Sequence, residues 1–86
     1  MKNLKYYREQ IDRTDRRILR LLAKRVAIVR EIGLLKKAKG LKVRDIKRER
    51  EVIRDKVELA KKYRLSSGFV KDIWLRLFEE SYVQEK

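Results

Sequence analysis

An all-α fold of three helices, one of them very long, is what this sequence predicts, and three observations predict it. The 86 residues contain no Pro and only three Gly, so the turn residues of a β-rich fold are scarce. Charged residues make up 45% of the chain and hydrophobic ones 43%, a balance that suits amphipathic helices around a modest core. Apolar positions recur at alternating steps of three and four rather than two. The length fits one domain, residues 1–86.

Helix 1 is expected from about Asn3 to Lys39. Leu4, Tyr7, Ile11, Thr14, Ile18, Leu21, Arg25, Ile28, Ile32 and Leu35 form a heptad seam, which Leu22 and Val29 widen. Gly33 weakens the helix locally by roughly 1 kcal/mol relative to Ala, but the pattern runs on past it. About 36 residues at 1.5 Å each reach roughly 54 Å, whereas a compact domain of this size is roughly 30 Å across. One copy of the other two helices cannot cover such a rod. The exposed apolar strip needs a partner, and a second copy related by a two-fold axis is the simplest one.

Lys39 to Arg44 is the linker, with Gly40 placed to end helix 1. Asp45 is the N-cap of helix 2, which runs to about Arg64. Its inward positions are Ile46, Glu49, Ile53, Val57 and Ala60, with Tyr63 closing the end. Leu65-Ser66-Ser67-Gly68 is the second turn, and Ser66 or Ser67 caps helix 3. Helix 3 turns Phe69, Val70, Ile73, Trp74, Leu77 and Phe78 inward, then Ser81 and Gln84 or Glu85 on the same side. The end, Gln84-Glu85-Lys86, is expected to fray.

Composition removes several chemistries. Without Cys there is no disulfide, thiolate or zinc–cysteine site. Without His the commonest general base and metal ligand is gone. Met1-Lys2-Asn3-Leu4-Lys5 lacks an apolar leader core and no run approaches a membrane span, so a soluble cytoplasmic protein is expected. The net charge of +13 points to anionic partners, either nucleic acid or a small polyanionic metabolite. It is also compatible with simple solubility or with thermophilic adaptation.

Several polar residues stand where the pattern calls for apolar ones. Arg25 lies on the helix 1 seam, where a buried cation needs a carboxylate or a bound anion; both remain open. Lys36, about three turns on, points the same way, so the two cations can grip one dianion, although alone it reads as a solvated lysine. Arg8 lies 17 residues before Arg25, roughly 25 Å along the rod. It reads as a surface residue, and it can reach the same ligand only from a partner subunit. Glu49 is either a carboxylate neutralised by Arg25 or Lys36, or an acceptor for a substrate hydroxyl. Asp45 is an N-cap whose backbone can also line a pocket. Ser81 puts a small hydroxyl in an apolar stripe, for close packing or for a ligand. Together these residues suggest a pocket for a small, multiply charged anion.

Arg8-(x2)-Ile11-Asp12-(x2)-Asp15, Leu21-Leu22-Ala23-(x)-Arg25, Ile32-Gly33-(x2)-Lys36, Val43-Arg44-Asp45-(x2)-Arg48-Glu49 and the late Ser81 closely resemble the all-helical chorismate mutase family. The likeness covers nearly the whole chain in order and spacing. It implies an intertwined homodimer of three-helix subunits with two equivalent pockets, each taking one arginine from the partner's long helix. It further implies the Claisen rearrangement of chorismate to prephenate, on the route to Phe and Tyr, with no cofactor, metal or covalent intermediate. Carried over, Arg25 and the partner subunit's Arg8 pair with the substrate carboxylates. Lys36 donates to the ether oxygen, Glu49 and the Asp45 backbone hold the ring hydroxyl, and Arg48 and Ser81 complete the anion-binding wall.

One departure stands out. The family usually places a Gln four residues after the late Ser, as a second donor to the ether oxygen. Here that place is Glu85, with Gln84 one earlier. An ionised Glu85 repels the developing charge, whereas a protonated one donates; alternatively the last turn shifts and Gln84 serves. The expectation is a free-standing dimeric chorismate mutase. Isochorismate pyruvate lyase, of the same fold and with a similar cationic pocket, is the nearest alternative. A basic helical nucleic-acid-binding protein is the alternative from another class, but it needs cations on outward faces, whereas Arg25 and Glu49 fall on the inner stripe. A purely structural coiled-coil dimer is the third, and Thr14 and Arg25 on the seam count against it.

Overall fold

The computed structural model describes residues 1–86. It contains three α-helices and no strand: α1 Leu4–Lys39, α2 Ile46–Lys62 and α3 Ser67–Glu85. The helix starts follow their cap chemistry. Asn3 Oδ1 accepts from the Tyr6 amide at 2.9 Å, Asp45 Oδ1 from the Arg48 amide at 3.0 Å and Ser66 Oγ from the Phe69 amide at 3.4 Å, each satisfying a donor that the helix cannot. At the end of α1, Gly40 takes φ +66°. There the Leu41 amide donates to the Lys36 carbonyl at 2.8 Å and the Gly40 amide to the Lys37 carbonyl at 3.2 Å, which is a Schellman turn. α2 closes the same way without a glycine: Arg64 sits at φ 57° and the Leu65 amide reaches the Ala60 carbonyl at 2.8 Å.

α3 is the middle element. It packs on both α1 and α2, which do not pack on each other. The buried apolar side chains are few: Val29 of α1, Ala60 of α2, and Val70 and Phe78 of α3. The chain measures 57 × 24 × 15 Å with a radius of gyration of 16.3 Å, against about 12 Å for a compact chain of this length. Between Leu4 and Leu21 no residue is buried, and Leu4, Tyr7, Ile11, Ile18 and Leu21 all face solvent. The first half of α1 thus projects as a bare amphipathic rod, as its length anticipates. No helix is long and apolar enough to cross a membrane.

Two expectations need correcting. Ile46, Tyr63, Phe69 and Ile73, read as inward, are exposed in the single chain. Ile46 and Tyr63 belong to α2 and its C-terminal cap, and α2 has one helical neighbour, so only a narrow stripe of it is covered; Phe69 and Ile73 lie on a side of α3 that neither neighbour covers. The end of α3 does not fray either. The helix continues through Glu85, which is only 5% exposed, because its last turn lies directly against α1 at Gly33.

Candidate active site

A cleft of about 450 Å³ opens between the second half of α1, the start of α2 and the end of α3, a size suited to a small metabolite. Val29, Ile32, Val52, Trp74 and Phe78 supply its apolar wall. The polar lining brings together Arg25, Lys36, Asp45, Glu49, Ser81 and Glu85, which the sequence pattern singled out one by one, and Arg48, which the family resemblance named.

Arg25 Nη1 donates to Ser81 Oγ at 2.5 Å, and Ser81 Oγ donates in turn to the Leu77 carbonyl at 2.8 Å. Arg25 forms no ion pair, so the structural salt bridge left open by the sequence is not made. Burial pushes its guanidinium below the ordinary value. A cation that has lost hydration and gained only a neutral hydroxyl is best satisfied by an anion.

Lys36 shares the α1 face with Arg25. Its Nζ lies 2.5 Å from the Val43 carbonyl and 2.5 Å from Glu85 Oε1. The second contact is an ion pair by distance without hydrogen-bond geometry, and Glu85 Oε1 is left buried with no hydrogen-bond donor. Buried carboxylate oxygens are rarely left so, and this one lies beside the amine that also lines the cleft. Glu49 pairs with neither Arg25 nor Lys36. Its Oε2 takes only a long contact of 3.5 Å from Arg44 Nε, at the outer limit of a hydrogen bond, and it retains acceptor capacity. Arg48 is exposed and 3.8 Å from Glu51. Asp45 spends its side chain on the α2 cap.

Two expected residues lie elsewhere. Arg8 is exposed on the bare half of α1. Gln84 lines a neighbouring cleft, where it accepts from Arg30 Nε at 3.0 Å and donates to Glu80 Oε1 at 2.8 Å. Successive helical residues are about 100° apart, so Gln84 and Glu85 cannot share a face. Glu85, four after Ser81, is the one brought to Lys36.

The sequence reading also missed lining residues. Val52 and Lys56 follow Glu49 at helical spacing on α2, a face passed over in favour of Ile53 and Val57. Lys56 Nζ stands 5.7 Å from the centre of the Trp74 ring and 2.8 Å from Asp55. Tyr82, four after Phe78, places its hydroxyl 3.5 Å from the Asp45 amide, which donates to it. Burial first, and then the nearby Glu49 carboxylate, push the Tyr82 phenol above its ordinary value, while the Asp45 amide and Arg44 pull the other way.

The cleft holds four cations, Arg25, Lys36, Arg48 and Lys56, against the carboxylates Asp45, Glu49 and Glu85. Since Asp45 caps a helix and Glu85 faces Lys36, the arrangement suits a small ligand that carries both anionic groups and a hydroxyl.

Residues 7–86 match the family described as chorismate mutase type II. The chain is 32% identical over 84 residues to a bifunctional chorismate mutase/prephenate dehydratase of Buchnera aphidicola, covering 98% of this chain and 22% of that protein. It is 33% identical over 85 residues to the T-protein of Haemophilus influenzae, covering 99% and 22%, and 33% identical over 78 residues to the T-protein of Enterobacter agglomerans, covering 91% and 21%. The chain therefore spans about a fifth of the length of the curated relatives it matches. From Tyr7 to Lys86 the match is continuous, and with it this three-helix chain belongs to the type II chorismate mutase family.

Proposed function

We propose that this chain catalyses the rearrangement of chorismate to prephenate, and does so as a homodimer with two pockets shared across the subunits. The observation that carries the reading is Arg25: half-buried, without an ion pair, fixed by Ser81, and facing the same cleft as Lys36. Arg25, Arg48 and the partner subunit's Arg8 hold the two substrate carboxylates. Glu49 and the Asp45 backbone hold the ring hydroxyl, so the flexible substrate is kept in its compact, reactive form. As the ether C–O bond breaks and the new C–C bond forms, negative charge grows on the ether oxygen. Lys36 donates to that oxygen, and Glu85 donates beside it when protonated. These groups are in place before the charge appears, so they favour the transition state over the ground state.

The bare half of α1 supports the dimer. Leu4, Tyr7, Ile11, Ile18 and Leu21 are exposed in the single chain, and burying each contributes roughly 2 kcal/mol. A second copy seated there brings its own Arg8 toward the cleft, which no Arg8 within the same rod can reach.

The test is the loss of chorismate absorbance with purified protein, with the products identified. Prephenate is expected. Pyruvate released from isochorismate, with chorismate untouched, moves the assignment to the lyase of the same fold, and turnover of neither overturns an enzymatic role.

A further inference from the structure

Gly33 lies on α1 one turn before Lys36, on the same face. It is buried, and a Cβ built on it would fall 2.6 Å from the Glu85 carbonyl oxygen and 2.8 Å from the Glu85 Cα. Both are backbone atoms of α3, with no flexible side chain to swing aside. Gly68, by contrast, has open space where its Cβ would be. A glycine within a helix costs about 1 kcal/mol relative to Ala. This chain accepts that cost inside α1 at the point where the α3 backbone touches it.

We propose that Gly33 is a positioning residue for the reaction: its missing side chain lets the last turn of α3 rest on the α1 backbone, and this seat holds the Glu85 carboxyl beside Lys36 Nζ. The inference rests on the reading of Glu85 as a group that acts at the reacting oxygen. An alanine has to widen the 2.6 Å contact to the ordinary 3.4 Å, a displacement of roughly 1 Å, and a misplacement of that size costs about a hundredfold in a positioned reaction. A glycine serving only packing lowers stability when replaced, but does not single out the steps that need Glu85.

The experiment measures kcat and KM for Gly33→Ala, Glu85→Ala and the double variant, with Gly68→Ala as the control for added helix propensity. Gly33→Ala is expected to lower kcat by roughly tenfold to a hundredfold while KM changes by less than about threefold. In the Glu85→Ala background it is expected to cost no further kcat. An equal fold-loss in both backgrounds overturns the inference, as does an unchanged kcat in Gly33→Ala. Wild-type kcat in Glu85→Ala overturns the reading of Glu85 itself, and the inference falls with it. A crippled Glu85→Ala beside an unaffected Gly33→Ala removes the positioning role alone. Should Gly33→Ala fail to fold by circular dichroism, ending the chain at Gln84 removes the backbone atoms that the new methyl meets and is expected to restore the helical signal; no restoration places the clash elsewhere and overturns the inference.

Discussion

Arg25 has given up part of its hydration and received only a serine hydroxyl in return. Arg25→Ala is therefore expected to lower kcat/KM by on the order of a hundredfold to a thousandfold, the range for losing one preorganised group that stabilises transition-state charge. The far-ultraviolet dichroism should stay as in the parent chain, since no buried carboxylate is orphaned; near-parental turnover rejects the site. Glu85 gives a second prediction. Glu85→Gln keeps the length of the side chain and sets a donating amide beside Lys36 Nζ, so it is expected to keep kcat at or above the parental rate, whereas Glu85→Ala loses it; a Glu85→Gln variant as slow as Glu85→Ala counts against Glu85 as donor. The residues legible in the sequence were those that broke the apolar pattern: Arg25, Lys36, Glu49 and Ser81. Trp74 was legible only as core, because an aromatic side chain on an inward stripe looks the same whether it lines a core or a cleft; Val52 and Tyr82 were not legible because they lie off the stripes read as inward.

Element boundaries were legible because local chemistry sets them. Asn3, Asp45 and Ser66 cap the three helices with their own side chains, and Gly40 ends the first. The two C-terminal turns allow a paired prediction. Gly40 and Arg64 both adopt the left-handed conformation, which costs a non-glycine residue about 1 kcal/mol. Gly40→Ala is expected to destabilise the chain by about 1 kcal/mol, and Arg64→Gly to stabilise it by a few tenths up to about 1 kcal/mol, after the extra freedom of the unfolded chain is subtracted. Urea unfolding at fixed protein concentration measures both, and a loss of stability in Arg64→Gly contradicts the account of that turn. The order at the end of α3 was not legible, since nothing in Gln84-Glu85-Lys86 itself announces it. The anchoring comes from Gly33 and Lys36, about fifty residues away in sequence.

At the scale of the whole molecule, the length of α1 gave the expectation that the other two helices leave part of the rod uncovered. The 57 Å long axis and the uncovered rod from Leu4 to Leu21 agree with that arithmetic. What covers the rod was not legible, because a heptad seam states that something must be buried without naming its neighbour. If the partner subunit's Arg8 completes each pocket, the two arginines of one site belong to different chains, and their defects can be separated. Dimers of Arg8→Ala and dimers of Arg25→Ala each carry a defect in both pockets. After subunit exchange, a mixed dimer has one pocket with both defects and one with neither. An equal mixture reassorts so that half of the dimers are mixed, and activity is expected to recover to about a quarter of the parental rate per protomer. If Arg8 instead served the cleft of its own chain, every pocket in the mixed dimer would keep one defect and mixing would recover nothing. The recovered fraction therefore decides between a pocket built within one chain and one built across two.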